Sequence, residues 1–248
     1  MPAARSADAV ELVGRAIEAH GGLDRWRRAA RLDVELTVGG MAFVAKGRRK
    51  SAGKPLTASI EIETGEVMMR PFFEHGQWVG HYTTERLTIT DKASGSTIDE
   101  CETASRPRST LRSLALWSDL DQLFFAGYAL SHYYRLPFSL LDERIALGPV
   151  ITTQGSDRSF TATFPPEVYS HSPQETFHFD ATDRLVRHDY TARFLAPGAR
   201  GAHLSTDYRA HDGLAFAGRR RVRLNAFGRA IMPTVLWLDV HHVAVVDH

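Results

Sequence analysis

The sequence lacks several features that define common protein classes. Its 248 residues include one cysteine, Cys101, which excludes an intramolecular disulfide and any site built on several thiolates. No stretch of about 18 apolar residues occurs, so we expect no transmembrane segment. The segment from Met1 to Leu12 has no apolar core followed by a cleavage site. We therefore expect no secretory signal and a cytoplasmic location.

An excess of charge of either sign is also missing. Lys and Arg total 30 and Asp and Glu total 29, a formal net charge of +1, which argues against a nucleic acid as the partner. The chain has no glycine-rich phosphate loop, no Gly-x-Ser-x-Gly motif and no His-Glu-x-x-His motif. We therefore expect no cofactor. The composition, 43% hydrophobic and 24% charged, is that of an ordinary globular protein.

The first half of the chain predicts a helix followed by an antiparallel meander. Apolar residues at helical spacing predict a helix from Asp8 to His20, ended by Gly21-Gly22, with Trp26 reaching the core. The spacing then changes to two along Leu32–Val38, which predicts a strand. Gly39-Gly40 predicts a hairpin turn, with Met41, Phe43 and Ala45 on the returning strand. The further predicted strands are Leu56–Ile62, Glu66–Arg70, Gln77–Tyr82, Arg86–Thr90 and Thr97–Glu100.

A second helix and a second meander follow. Residues 103–117 are predicted to form a surface connection, and residues 118–136 a helix that begins at Ser118 and ends before Pro137. This helix is apolar over much of its circumference, so it is expected to be buried. The strands predicted after it are Ser159–Phe164, Gln174–Asp180, Leu185–Phe194, Ala202–Arg209, Arg219–Asn225 and Thr234–Val246, with turns at Asp180–Asp183 and His211–Gly213.

These elements predict a mainly β (α+β) fold in a single domain over residues 1–248. An antiparallel sheet of about ten or more strands must curl or close. The helix at 118–136 is then best placed inside the curl, as a plug. The prediction is one curled antiparallel sheet that forms a half-open barrel around this plug helix, with an N-terminal helix.

The order of elements resembles that of the bacterial lipoprotein carriers, the LolA/LolB-like half-barrels, over most of the chain. Three segments are similar to uncharacterised bacterial proteins of this carrier-like class: His20–Trp26, Phe124–Leu130 and Leu185–Tyr190. The resemblance implies a hydrophobic cavity between sheet and plug helix. It implies no catalytic residues.

One face of the second meander is predicted to gather polar side chains among apolar ones. His188 and Tyr190 share a strand face. A turn near Gly198 would place Tyr208 opposite His188, and a turn near Gly213 would place Arg220 opposite Tyr208. Such a set can perform acid–base chemistry or bind a carboxylate or enolate. The alternative is that Tyr and His here only fill the core, with their polar tips hydrogen-bonded.

The histidines elsewhere do not predict a metal site. The same pairing places His203 on the opposite face with Asp189 and Asp207, where charged residues are normally just solvated. His241 and His242 point to opposite faces of the last strand. Glu175 and His178 have ligand spacing only in a helix, whereas their neighbours favour a strand. We therefore expect no metal.

Two functions remain open. The first is binding of a lipophilic small molecule, such as a lipid or polyketide, in an apolar cavity. The predicted lining is Phe43, Ile60, Phe124, Tyr128, Tyr134, Phe160 and Phe194. The second is a cofactor-free cyclase, isomerase or hydrolase that holds a lipophilic substrate in the same cavity. Its catalytic residues would be His188, Tyr190, Tyr208 and Arg220. The sequence leaves the oligomeric state open.

Overall fold

The computed structural model describes residues 3–105, 115–152, 157–168 and 170–248. Most of the predicted surface connection at 103–117 lies outside these residues. The helices are α1 (Ala7–Ala19), α2 (Leu23–Arg28), α3 (Met41–Ala45) and α4 (Asp119–Arg135). Short 3-10 helices cover Arg49–Ser51, Thr103–Ser105 and Phe138–Leu141. None of the described helices is both long enough and apolar enough to cross a membrane.

The described strands form one sheet in which every pairing is antiparallel. The strands are β1 (Ala29–Gly39), β2 (Pro55–Glu61), β3 (Val67–Arg70), β4 (Trp78–Tyr82), β5 (Arg86–Asp91), β6 (Thr97–Glu102), β7 (Ala146–Leu147), β8 (Ile151–Thr152), β9 (Arg158–Thr163), β10 (Gln174–Phe179), β11 (Leu185–Thr191), β12 (Arg200–His211), β13 (Leu214–Ala226) and β14 (Arg229–Asp247). The sheet is open, with β6 and β7 at the ends of its strand order. The mainly β prediction is confirmed.

The two meanders join in the middle of the sheet, where β1 pairs with β14. Leu32, Val34 and Leu36 of β1 are buried, while Glu35 is exposed, so the period-two pattern is that of a strand with one buried face. Because the first strand pairs with the last, strands from both sides of the 103–117 connection share one sheet.

The predicted return strand at Met41–Ala45 is wrong, because this segment is helix α3. Both edges of β1 are already occupied, by β2 and by β14. No edge of β1 is therefore left for a strand that follows directly after Gly40. The next strand along the chain that pairs with β1 is β2, which begins at Pro55. In α3, Phe43 is buried, while Met41 and Val44 are exposed.

Helix α4 is the plug that the sequence predicted. It begins with a capping box, in which the Ser118 hydroxyl accepts from the Asp121 amide and the Asp121 carboxylate accepts from the Ser118 amide. Leu123 is 0% exposed and Leu130 is 4% exposed. The helix contacts strands of the first meander, and its His132 contacts Glu175 of the second. The concave face of the sheet therefore surrounds α4 from both sides.

Gly127 of α4 packs directly against the Tyr82 ring of the sheet. A Cβ atom at this position would lie 2.3 Å from the ring of Tyr82 on β4. We expect Gly127→Ala to lower the free energy of unfolding by about 1–3 kcal/mol through overpacking. Gly14, on the exposed side of α1, has nothing within 4 Å of its Cβ position. Gly14→Ala should instead raise stability by about 0.5–1 kcal/mol. Urea unfolding of both variants checks this, and a stable Gly127→Ala protein would contradict the close packing of α4.

His20, which follows α1, should make stability depend on pH. It is 2% exposed, and its Nδ1–H donates to the Ala16 carbonyl at 2.6 Å. Burial lowers the pKa of His20 from 6.5 to about 4. The unfolded chain therefore takes up a proton below pH 6.5 that the folded chain refuses, so this contribution to stability is lost as the pH falls from 6.5 to 4.

The loss linked to His20 should reach about 3 kcal/mol at pH 4. In His20→Gln, unfolding free energies measured between pH 7 and pH 4 should decline less steeply than in the parent protein. The exposed His248 provides the control, since His248→Gln should leave the slope unchanged. Equal slopes in all three proteins would show that His20 titrates normally in the fold.

Candidate functional site

The register of β11 and β12 places His188 opposite His203, and both side chains point to the concave face. They are 0% and 1% exposed, with ring centroids 4.5 Å apart. The sequence placed Tyr208 opposite His188 and His203 on the other face, and both predictions are wrong. The reason is the position of the turn between β11 and β12. This turn is closed by a hydrogen bond from the Ala192 amide to the Ala199 carbonyl and lies earlier than the assumed turn near Gly198. The pairing of the two strands is therefore shifted by five residues.

The predicted pairing of Arg220 with Tyr208 is also wrong. The turn after His211 was placed correctly, but it pairs His211 with Leu214 and therefore sets Tyr208 opposite Ala217. Arg220 lies opposite Ser205. The half-buried Tyr208 donates its hydroxyl hydrogen to the Leu185 carbonyl, and its ring lies 5.3 Å from that of His20. Its phenol is thus engaged in a structural hydrogen bond.

The concave face brings four buried histidines together, which we call the histidine cluster: His132, His171, His188 and His203. His132 comes from α4, His171 from the segment before β10, and the other two from β11 and β12. The ring centroid of His188 lies 5.9 Å from that of His132 and 6.2 Å from that of His171. Residues distant in sequence therefore meet where α4 crosses the second meander.

Glu175 is a carboxylate buried beside this cluster. Its Oε2 lies 3.0 Å from Nε2 of His132. Its Oε1 accepts hydrogen bonds from the backbone amides of His171, at 2.8 Å, and Ser172, at 3.4 Å. Glu175 is 1% exposed, so these contacts fix the orientation of the carboxylate in the core.

Several nitrogens of the histidine cluster have no hydrogen-bond partner among the described residues. These are both ring nitrogens of His188, both of His203, and Nε2 of His171. Burial lowers the pKa of each of these three histidines well below 6.5, and neighbouring positive groups lower it further. The rings are therefore neutral, and each carries an imidazole lone pair.

The tyrosines around the cluster remain protonated. Tyr133 and Tyr190 are hydrogen-bonded to each other, and burial raises the pKa of both phenols above 10. The Tyr190 ring stacks on His171 at a centroid distance of 4.0 Å, and Tyr133 contacts His203 edge-on at 4.3 Å. A neutral phenol donates hydrogen bonds but is a poor base, so these residues suit a wall better than a proton acceptor.

Arg220 is a buried cation next to the same wall. It is 5% exposed and donates to the Ser205 hydroxyl and to the Tyr133 carbonyl, each at 3.2 Å. Its guanidinium lies over the rings of Tyr133 and Tyr134, at 5.4 and 5.5 Å from their centroids. Within the described part of the chain it forms no ion pair, and its Nε has no hydrogen-bond partner.

An apolar cavity of about 60 Å³ lies between α3, α4 and the strands at the centre of the sheet. Tyr133, His203 and Arg220 bring polar groups to its wall. Val38, Ala126 and Trp237 also line it and are half-buried. Its apolar wall includes Leu36, Phe43, Phe73, Ala129, Leu130 and Leu236.

The predicted lining residues are distributed differently. Phe43 lines the apolar cavity. Tyr128 lines a second, more polar cavity of about 400 Å³ that also reaches His132. The other five belong to the packed core: Ile60, Phe124, Tyr134, Phe160 and Phe194. Of the four predicted catalytic residues, Arg220 lines the apolar cavity, His188 and Tyr190 lie behind its wall, and Tyr208 lies near His20.

Three residues are arranged so that they could hold a metal, although the sequence argument expected no metal site and named only His188 of the three among its site residues. His132, Glu175 and His188 offer ligand atoms that all lie within 4.8 Å of one another. One pattern pointed to Glu175, which falls in phase with the inward-facing Phe177 and Phe179 on β10. A carboxylate on the buried face of a strand needs a hydrogen-bond or charged partner in the interior of the protein.

Comparisons with known proteins support the fold assignment. No protein-family model and no curated protein matches this sequence. The chain is similar to the crystal structure of a LolA superfamily protein from Nitrosomonas europaea, with a TM-score of 0.52 and 10% identity over 98% of this chain and 96% of that one. It also matches a DUF1329 family protein from Desulfovibrio piger, with a TM-score of 0.37 and 11% identity over 97% and 94% of the two chains. The similarity to the LolA superfamily structure shows that the protein has a LolA-like fold.

The two histidines nearest Glu175 should respond oppositely to replacement by phenylalanine. His188→Phe removes two unpartnered buried nitrogens, so we expect the free energy of unfolding to stay the same or rise. His132→Phe leaves the Glu175 carboxylate without its side-chain partner and should lower that energy by about 3–5 kcal/mol. Denaturant unfolding measures both changes in the free energy of unfolding, and EDTA in the buffer removes any contribution from metal ions. A larger loss in His188→Phe would show that hydrogen bonds of His188 stabilise the core.

Proposed function

We propose that this protein binds a lipophilic small molecule in the apolar cavity, with an anionic end of the ligand, a carboxylate or enolate, next to Arg220. The observation that carries the proposal is a buried guanidinium at the wall of an otherwise apolar cavity. A concave apolar site with a few placed polar groups is the usual form of a small-molecule site.

The state of Arg220 favours an anion over a neutral ligand. Moving a cation out of water costs several kcal/mol unless it is paired. Among the described residues, Arg220 has only neutral oxygen partners, from Ser205 and Tyr133, and its Nε has none. A carboxylate on the ligand would supply the missing charge and accept from the planar guanidinium.

The cavity walls favour a slim ligand. Leucine, phenylalanine and alanine side chains dominate the lining, and a volume of about 60 Å³ holds only the few carbons next to the charged end, so the rest of the ligand would extend toward the surface. Entry between the half-buried Val38 and Trp237 would let the apolar part of the ligand lie against α4 while its charged end reaches Arg220.

Binding is better supported than the alternative of a cofactor-free enzyme. Acid–base catalysis at this cavity would need His188 and Tyr190 to reach the ligand, and neither lines the apolar cavity. The raised pKa of Tyr190 also makes its phenol a poor base. Arg220 is the one member of the predicted catalytic set at the cavity wall, and its chemistry is anion binding.

The binding test uses a fluorescent polyunsaturated fatty acid and its methyl ester as probes. The acid should bind more tightly than the ester, because only the acid can pair with Arg220. In Arg220→Met the affinity for the acid should fall by about tenfold or more, the value of a hydrogen bond to a charged group, while the affinity for the ester stays the same. Fluorescence titration measures both affinities.

Arg219 provides the matched control for this test. It lies on the same strand with its side chain 64% exposed, and Arg219→Met makes the same change in charge. This variant should bind both probes like the parent protein. Equal binding of acid and ester by the parent protein would contradict the role of Arg220, and failure of both probes to bind would contradict the lipophilic site itself.

A further inference from the structure

The histidine cluster contains more unpaired ligand atoms than a packed core tolerates. Buried polar atoms in proteins nearly always have hydrogen-bond partners. Here five ring nitrogens of His171, His188 and His203 have none among the described residues. A neutral imidazole has one N–H and one lone pair, so His188 and His203 each leave one donor and one acceptor unsatisfied, and the cluster lacks a group that would bind its lone pairs.

Three of the surrounding residues are arranged like metal ligands. Nε2 of His132 and Oε2 of Glu175 are 3.0 Å apart, and a nitrogen of His188 lies within 4.8 Å of both. Two ligands at about 2.0–2.1 Å from one tetrahedral zinc lie roughly 3.3 Å apart. The first pair, at 3.0 Å, is close to this spacing, and the His188 nitrogen would complete the triangle after moving toward both atoms.

We propose that His132, Glu175 and His188 bind a transition-metal dication, with zinc as the best match, inside the LolA-like fold. Two imidazoles and one carboxylate form a known donor set for zinc, whereas calcium and magnesium prefer oxygen ligands alone. His203 and His171, whose ring centroids lie 4.5 and 6.2 Å from that of His188, or a solvent molecule would complete the coordination.

The residues behind the ligands also fit a metal centre. Glu175 uses Oε1 to accept from the amides of His171 and Ser172, which leaves Oε2 free to bind the ion. Tyr128 holds Nδ1 of His171 at 3.2 Å and leaves Nε2 free.

The charge balance and the access route are consistent with an ion at this position. The negative charge of Glu175 offsets part of the charge of a dication, while Arg220, which also faces His188 and His203, opposes it. The polar cavity of about 400 Å³ is lined by Tyr128, Ser131 and His132. This cavity therefore offers a route to His132 that does not pass through the apolar one.

The test measures zinc binding to the full chain after removal of metal with EDTA. Competition with a chromophoric chelator should give one zinc per chain with a dissociation constant below about 1 μM. Zinc should also raise the Tm. Glu175→Gln and His188→Phe should each weaken binding by more than about 100-fold, since loss of even an outer partner costs 10–100-fold.

Two controls separate this site from adventitious binding at the surface. His178 lies on the same strand as Glu175 and pairs with Asp189 at 3.2 Å on the other face, so His178→Phe should leave zinc binding unchanged. His211 and His242 have ring centroids 6.1 Å apart outside the cluster, and His242→Gln should also have no effect.

Two results would overturn the proposal. One is a parent protein that binds no zinc more tightly than about 1 μM. The other is binding that survives in Glu175→Gln and His188→Phe but is lost with His178 or His242. His188→Phe is expected to fold at least as stably as the parent protein in EDTA, so its loss of zinc would not reflect unfolding. Zinc binding and fatty-acid binding use different probes, and either can fail without the other.

Discussion

The burial of α4 inside the curled sheet is the constraint on which the rest of the structure depends. A helix surrounded by strands on both sides can place few of its side chains in water, so its polar groups must find partners in the interior. Ser118 and Asp121 satisfy the first turn through the capping box, and His132 meets Glu175 across the concave face. The polar cluster is thus a consequence of where the helix lies.

The sequence predicted the elements and their order well, because these depend on local patterns. The period-two alternation of β1, the capping residues of α4 and the turn at Asp212-Gly213 were all found where expected. The helix at Met41–Ala45 was missed, because its apolar residues also suit a strand. What excluded a strand there was the occupation of both edges of β1, by β2 and by the distant β14.

The site was predicted less well, because it depends on register and on contacts between distant segments. A shift of five residues between β11 and β12 replaced Tyr208 by His203 as the partner of His188. A change of one residue in register reverses every face of a strand, so small errors in turn position have large effects. His132 and Glu175 are 43 residues apart and meet only through the placement of α4.

Stability alone does not account for the interior of this fold. A buried ion pair is often no more stable than apolar residues of the same shape, and an unpaired buried charge or polar atom is worse than either. Within the described part of the chain, Arg220 has no counterion and His188 has no hydrogen bond, and each of these features lowers the stability of the fold. Both residues lie against α4. Arg220 lines the apolar cavity, and a ring nitrogen of His188 lies within 4.8 Å of the Glu175 carboxylate. A bound anion at one and a bound cation at the other would offset these costs, and this physical reason links the two proposals.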